Sequence, residues 1–287
     1  MVQLFLKFGK RSSSVQGSGL LPRIWWCPTG PLAFLPIHAA GNYEKGKPVP
    51  KQCLSDFGVS SYIPTVEVFN SVKKCSDNRN GLLMVSQPFT PGMSSIPFAR
   101  DEVEKIQKQL ELRGISFSTL IDEQAMVKRL LESMEHFSCI HLACHAAQNM
   151  TDPLKSSIYL HDGPLELSEI IRKNLENSNF AFLSACQTSK GDPKLPEEVV
   201  HLASGMLAAG YRSVVGTMWS IFDEHGPDLA EFFYETMLNN TKISDGVKID
   251  GSGAARALHA ATARLREMVS DSPVSFLIWV PYIHTGI

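Results

Sequence analysis

Two stretches restrict this chain more than any others: Cys139-Ile-His-Leu-Ala-Cys-His-Ala146 and Phe180-Ala-Phe-Leu-Ser-Ala-Cys-Gln-Thr188. Each is a short apolar run ending in a reactive side chain, His145 in the first and Cys186 in the second. Runs of this length, rich in Ile, Leu and Phe and bounded by polar segments, read as strands buried on both faces. In open parallel sheets, chemistry collects just past the carboxyl ends of the strands. Neighbouring strands ending in His and Cys would set an imidazole beside a thiol, which is the arrangement of a cysteine peptidase dyad.

The rest of the chain supports such a sheet. Leu82–Ser86, Ile115–Leu120 and Arg212–Trp219 read as further strands. Between the strands, apolar residues recur at helical spacing over Phe98–Arg113, Gln124–Met134 and Pro196–Ala208. Gly226–Leu238 and Gly253–Val269 read as long helices, and Asp162-Gly163 marks a hairpin turn. Ser168–Asn174 is expected to be a short helix capped by Ser168. Strand–helix alternation predicts a three-layer α/β fold around a mostly parallel sheet.

The ends of the pattern are less regular. Residues 1–20 are expected to be a flexible leader, with the folded domain over residues 21–287. Leu21–Pro36 reads as a hairpin around Pro28-Thr-Gly-Pro31, residues 42–60 as a loop, and Ile63–Lys74 as a helix. Val274–Tyr282 is an apolar segment whose Pro281 suggests an edge position.

At 287 residues and 44% apolar content, the chain can bury a sizeable core. A formal net charge of −2 leaves no basic face for nucleic acid. The six cysteines (27, 53, 75, 139, 144 and 186) lack paired spacing, which argues for reduced thiols in an intracellular, cytoplasmic protein. No run approaches the roughly 20 apolar residues of a membrane span, so no membrane association is expected.

A cysteine at a strand end is most often core. Cys186, however, is followed at once by Gln187, Thr188 and Ser189, so its thiol is expected at the rim of the sheet. By period-2 alternation Cys139, His141 and Ala143 share one face, and Ile140, Leu142 and Cys144 the other. His141 is therefore expected to be a satisfied core histidine. His145 is expected just beyond the strand, free to turn toward solvent. The same alternation keeps Cys139, His141, Cys144 and His145 from converging on one tetrahedral metal ion. There is no phosphate-binding Gly-x-x-x-x-Gly-Lys loop, no Gly-x-Ser-x-Gly elbow and no His-Glu-x-x-His pair, so neither metal nor cofactor is expected.

His141-Leu-Ala-Cys-His145-Ala, Leu183-Ser-Ala-Cys186-Gln-Thr and Leu207-Ala-Ala-Gly-Tyr-Arg-Ser-Val-Val-Gly-Thr-Met-Trp219 together resemble the CHAT domain family. These are caspase-like and separase-like cysteine peptidase domains, often attached to tetratricopeptide repeats. Leu32–Gly41 and Phe276–Ile283 resemble that family's two ends. The resemblance implies a caspase–haemoglobinase-like fold with His145 and Cys186 as the dyad. It implies acyl transfer, with Cys186 attacking the scissile carbonyl and His145 protonating the leaving amine. Backbone N–H groups of Cys186 and Ala146 would hold the oxyanion. Ala146 stands where the wider group usually has Gly; the donor survives that change, but a positive φ would not suit Ala.

Trp219–Glu224 resembles the separase segment whose acidic residue seats a basic P1 side chain, which would put Asp223 at the base of S1. Asp223 also fits as an N-terminal cap of the helix that follows. The implied partners are protein or peptide substrates, basic at P1, together with sensor repeats in a longer protein. The alternative is a catalytically silent CHAT module acting as an interaction scaffold. A third reading, a small-molecule α/β enzyme using Cys186, has no cofactor loop to support it.

Overall fold

The structure, a computed structural model, describes residues 20–44, 47–69, 80–149, 151–176, 178–187, 200–239, 249–269 and 274–287, with side chains left out at 185–187, 200 and 201. In chain order the strands and helices begin with β1 (Arg23–Trp26), β2 (Gly41–Glu44), β3 (Lys47–Cys53), β4 (Val59–Tyr62) and β5 (Leu82–Ser86). Next come α1 (Phe98–Leu112), β6 (Phe117–Ile121), α2 (Val127–Ser133), β7 (Cys139–Ala147), β8 (Ser157–Leu160), β9 (Gly163–Glu166) and α3 (Leu167–Arg172). The chain continues with β10 (Phe180–Gln187), α4 (Val200–Ala209), β11 (Ser213–Thr217), α5 (Gly226–Asn239), α6 (Ala254–Met268), α7 (Ser275–Trp279) and β12 (Tyr282–Gly286).

One sheet runs β1-β4-β12-β11-β10-β7-β5-β6, and the β8–β9 hairpin extends it from β7. The five strands from β11 to β6 are parallel to one another. At β12 the direction reverses, and β4 and β1 follow β12. Because β5 lies between β6 and β7 with helices over both faces, Leu82, Leu83, Met84 and Val85 are all fully buried. Burial of this kind contributes roughly 1.5–3 kcal/mol for each large apolar side chain.

Alternation along the strands feeds two separate cores. Cys139 and Ala143 of β7, with Phe180 and Phe182 of β10, pack against α1, α5 and α6. Ile140, Leu142, Cys144 and Ala146, with Ala181 and Leu183, pack against α2, α3 and α4. The three-layer α/β architecture is the one the alternation of strands and helices predicts.

The amino-terminal segment departs from expectation. Leu21–Pro36 is not a hairpin: β1 pairs in parallel with the distant β4, and Gly30–Phe34 forms a 3-10 turn with Pro31 at its start, a position that proline's fixed φ favours. The hairpin lies instead within 42–60, where β2 and β3 form a separate two-stranded sheet that accommodates Pro48 and Pro50. Of the helix expected over Ile63–Lys74, a 3-10 turn at Val66–Phe69 is seen; its remainder, and the leader at 1–19, lie outside the described residues. The short α3 is capped by Glu166, paired with Glu169 in a capping box, rather than by Ser168.

The carboxyl-terminal segment is not an edge strand. Ser275–Trp279 is helical, and Phe276 and Trp279, three apart on one face, pack against the Tyr43 ring at 5.0 and 6.0 Å between centroids. Pro281 separates this helix from β12, which is internal, between β11 and β4. Among the described residues no helix is long and apolar enough to cross a membrane.

Candidate active site

β7 and β10 are parallel neighbours in register from Cys139↔Phe180 to Ala146↔Gln187, and that register makes His145 and Cys186 direct partners. Adjacent strands lie about 5 Å apart. Cys186 holds the same strand parity as Phe180, Phe182 and Ser184, and His145 the same as His141 and Ala143. Both positions therefore belong to the face covered by α1 and α5. The side chain of Cys186 is outside the described residues, so the expectation that its thiol sits at the rim has no geometry to compare.

His145 is not beyond the strand end. β7 continues to Ala147, sustained by the antiparallel pairs His145↔Tyr159 and Ala146↔Ile158, and the imidazole is 0% exposed. The loop after β5 folds over it: Gln87 N–H donates to the Ala143 carbonyl (2.9 Å) and Ile96 N–H to the Pro88 carbonyl (3.0 Å). That loop brings the Ser94 carbonyl to 2.7 Å from His145 Nε2. A carbonyl only accepts, so Nε2 carries the proton and Nδ1 carries the lone pair. Nδ1 has no hydrogen-bond partner among the described residues. The ring is thus held by one nitrogen with the basic one left open, the tautomeric state a general base requires.

Ala146, expected as an oxyanion donor, lies within β7 and is fully buried, and its φ is not positive. Alanine therefore occupies this position without strain. Asp223 opens a 3-10 turn before α5, but it does not cap the helix that follows. Its Oδ2 accepts the Phe98 N–H at 3.0 Å and so caps α1, 125 residues earlier in the chain. Burial raises its pKa, the Phe98 N–H opposes the rise, and neighbouring Glu102 adds to it. An imidazolium at His145 would oppose the rise, which places this carboxylate in the electrostatic field of the site.

Beneath these residues lies a polar cluster that sequence reasoning missed. Glu102 of α1 is 2% exposed, and its Oε2 accepts the Ser184 hydroxyl at 2.9 Å. Its Oε1 lies 2.9 Å from His141 Nε2, an ion-pair distance without the alignment of a hydrogen bond. His141 Nδ1 pairs with the Tyr234 hydroxyl at 3.1 Å, and the ring stacks on Phe182 at 4.8 Å. Burial raises the Tyr234 pKa well above its ordinary value, so the hydroxyl stays protonated and keeps a proton to share in this bond. At Gly226, where α5 begins, an added Cβ would come 2.8 Å from Glu102 Oε2, so the helix start closes tightly over this carboxylate.

His141 is the core histidine that alternation predicts, but it is hydrogen-bonded through Nδ1 alone, its Nε2 meeting Glu102 only at ion-pair distance. Glu102 has a faint sequence signal: with Ala99, Val103, Ile106 and Leu110 it falls on the buried stripe of α1. Ser94, in a loop, has none.

A comparison with curated proteins returns no match. Among solved structures, two of the Saccharomyces cerevisiae separase–securin complex match at 14% and 15% identity. Their TM-scores are 0.51 and 0.50, and each match covers 82% of this chain and 14% of the separase chain. The Arg-specific cysteine proteinase gingipain R matches at 11% identity and a TM-score of 0.49, over 86% of this chain and 60% of its own. The chain thus spans less than two thirds of the length of each of these structures. The fold is of the cysteine-peptidase type. The family model for the CHAT domain matches from residue 8 to residue 287, a range that includes β7 and β10, and the chain belongs to the CHAT domain family.

Proposed function

We propose that the chain is a cysteine endopeptidase module that hydrolyses peptide bonds in protein substrates, with Cys186 as nucleophile and His145 as its acid–base partner. The observation that carries this reading is the register that sets Cys186 opposite His145 on adjacent parallel strands. The lone pair left open on His145 Nδ1 supports it. In the proposed reaction, Cys186 Sγ bonds to the scissile carbonyl carbon as the thiol proton passes to His145. The imidazolium then protonates the leaving amine, and water hydrolyses the thioester to regenerate the thiol. Backbone N–H groups of Cys186 and Ala146 would hold the oxyanion. Asp223 would favour Arg or Lys at P1. A regulatory protein partner, attached or separate, belongs to the same proposal, as does an intracellular location.

The test is labelling of the purified chain by an Arg-directed, thiol-reactive peptide probe. Labelling of the wild type that is lost in both Cys186→Ala and His145→Ala is the expected result. No labelling of the folded wild type, or equal labelling of Cys186→Ala, would overturn an active dyad. One observation favours a second reading, a catalytically silent scaffold: His145 is fully buried beneath the Ser94 carbonyl. That reading expects no labelling even with the loop after β5 shortened to uncover the ring.

A further inference from the structure

Away from the dyad strands, a partly open cavity of about 170 Å³ lies between α6, β4, β12 and the 3-10 turn Leu54–Asp56. An apolar cavity of about 150 Å³ admits benzene, so this one has room for a compact polar group and a short stem. Most of its polar wall is already satisfied. His38 Nε2–H donates to the Val280 carbonyl at 2.9 Å, and its Nδ1 pairs with the Tyr62 hydroxyl at 2.8 Å. His284 pairs through its two nitrogens with Ser213 and Ser61. Asp56 accepts the Cys53 N–H at 3.0 Å.

Two side chains of α6 face the cavity without a hydrogen-bonded protein partner among the described residues. His259 and Arg266, two turns apart on the helix face lining the cavity, make no side-chain hydrogen bond or ion pair among the described residues. The guanidinium of Arg266 rests 5.3 Å above the Trp279 ring, and the Trp279 N–H in the same wall is buried without a partner. Arg256, one turn before His259, adds a further positive charge. Facing these cations, Asp56 is the carboxylate whose charge reaches His259. A half-buried cluster with excess cationic charge and open donors is costly unless an anion completes it.

We propose that this cavity binds a small oxyanion, a phosphate or carboxylate group, held by Arg266 and His259. Planar guanidinium donors suit such an anion. The anion's source is either a free small molecule or a modified or acidic side chain of a protein. Binding is coupled to pH. His259 is held below its ordinary pKa by burial first and by Arg266 and Arg256 next, with Asp56 opposing. Neighbouring His38, driven down to about 4, stays neutral. A bound anion favours the imidazolium, so affinity rises as pH falls.

The test is calorimetric titration of the whole chain with sulfate, which does not change charge in this pH range. Free phosphoserine and a phosphoserine peptide are titrated in parallel. One-to-one saturation is expected, weakened about tenfold or more by Arg266→Gln. It should be unchanged by Arg264→Gln, whose side chain pairs with Glu235 instead. Wild-type affinity should rise from about pH 7.5 to about pH 5.5, and His259→Gln should flatten that rise. Tight binding of free phosphoserine identifies a small-molecule site, whereas binding of the peptide alone identifies a protein partner; both sustain the proposal. No saturable binding by folded wild type, or equal affinity in Arg266→Gln and Arg264→Gln, overturns it. Should Arg266→Gln not fold, Arg266→Lys with His259→Gln reads the same site. None of these outcomes depends on peptidase activity.

Discussion

Glu102 carries more of the local energetics than its place in a polar-looking helix suggests. Its carboxylate meets Ser184 of β10 and His141 of β7, so one side chain ties α1 to the strands that carry Cys186 and His145. Removing one partner from a buried polar cluster leaves the others unsolvated and unpaired. Glu102→Ala is therefore expected to cost about 3–5 kcal/mol in urea unfolding, whereas Glu102→Gln, which still accepts from Ser184, should cost distinctly less. Equal losses for the two would show that packing, not the paired charge, matters here. At this scale the sequence was readable where alternation governs: His141 on an inward face, Cys186 on the parity of Ser184. It was unreadable where a distant segment supplies the partner. The Ser94 carbonyl that orients His145 is 51 residues away, and nothing in either stretch encodes that meeting.

Among the elements, α1 shows how a single residue can serve two purposes. Asp223 accepts the Phe98 N–H at the start of α1, and its charge lies in the field of His145. Asn caps helices about as well as Asp. Asp223→Asn should therefore keep stability within about 0.5 kcal/mol, while Asp223→Ala should lose about 1 kcal/mol. If Asp223 also seats a basic P1 side chain, Asp223→Asn should lose labelling by an Arg-directed probe at almost unchanged stability. Retained Arg preference in that variant would confine the residue to capping. The strands β5, β7, β10 and β11 and the helices α1, α5 and α6 were legible, because runs buried on both faces and long amphipathic repeats carry their own signal. β1, β4 and β12 were not. Their pairing is non-local, and Arg23↔Val59 and Val214↔Thr285 join residues whose own neighbours carry no turn to announce them.

For the molecule as a whole, buried neutral histidines set the response to acid. His38 is pushed down to about 4, by burial foremost, and His284 well below its ordinary value, also by burial first. Groups with depressed folded pKa values bind protons more readily in the unfolded chain. Their contribution is thus fully present above about pH 6.5 and is lost as pH falls toward about 4. His38 alone should account for roughly 3 kcal/mol across that window, and His38→Gln should flatten the curve of unfolding free energy against pH. An unchanged slope would mean that burial does not hold the His38 imidazole neutral in the folded chain. Asp223, raised in the fold, works in the opposite sense, stabilising only near and below its own titration.

What the sequence by itself determined was set by local periodicity: a three-layer α/β domain, a parallel core, and two strands ending near His145 and Cys186. These follow from alternation and run length, which every residue expresses within its own neighbourhood. What only the tertiary structure decided was every relation across distance. It reversed the sheet at β12, buried His145 under Ser94, gave the Asp223 cap to α1, and gathered His259 and Arg266 on the wall of one cavity. The physical reason is that hydrogen bonds and charges take whichever partner the packed chain brings near, and that choice is made by all the elements at once.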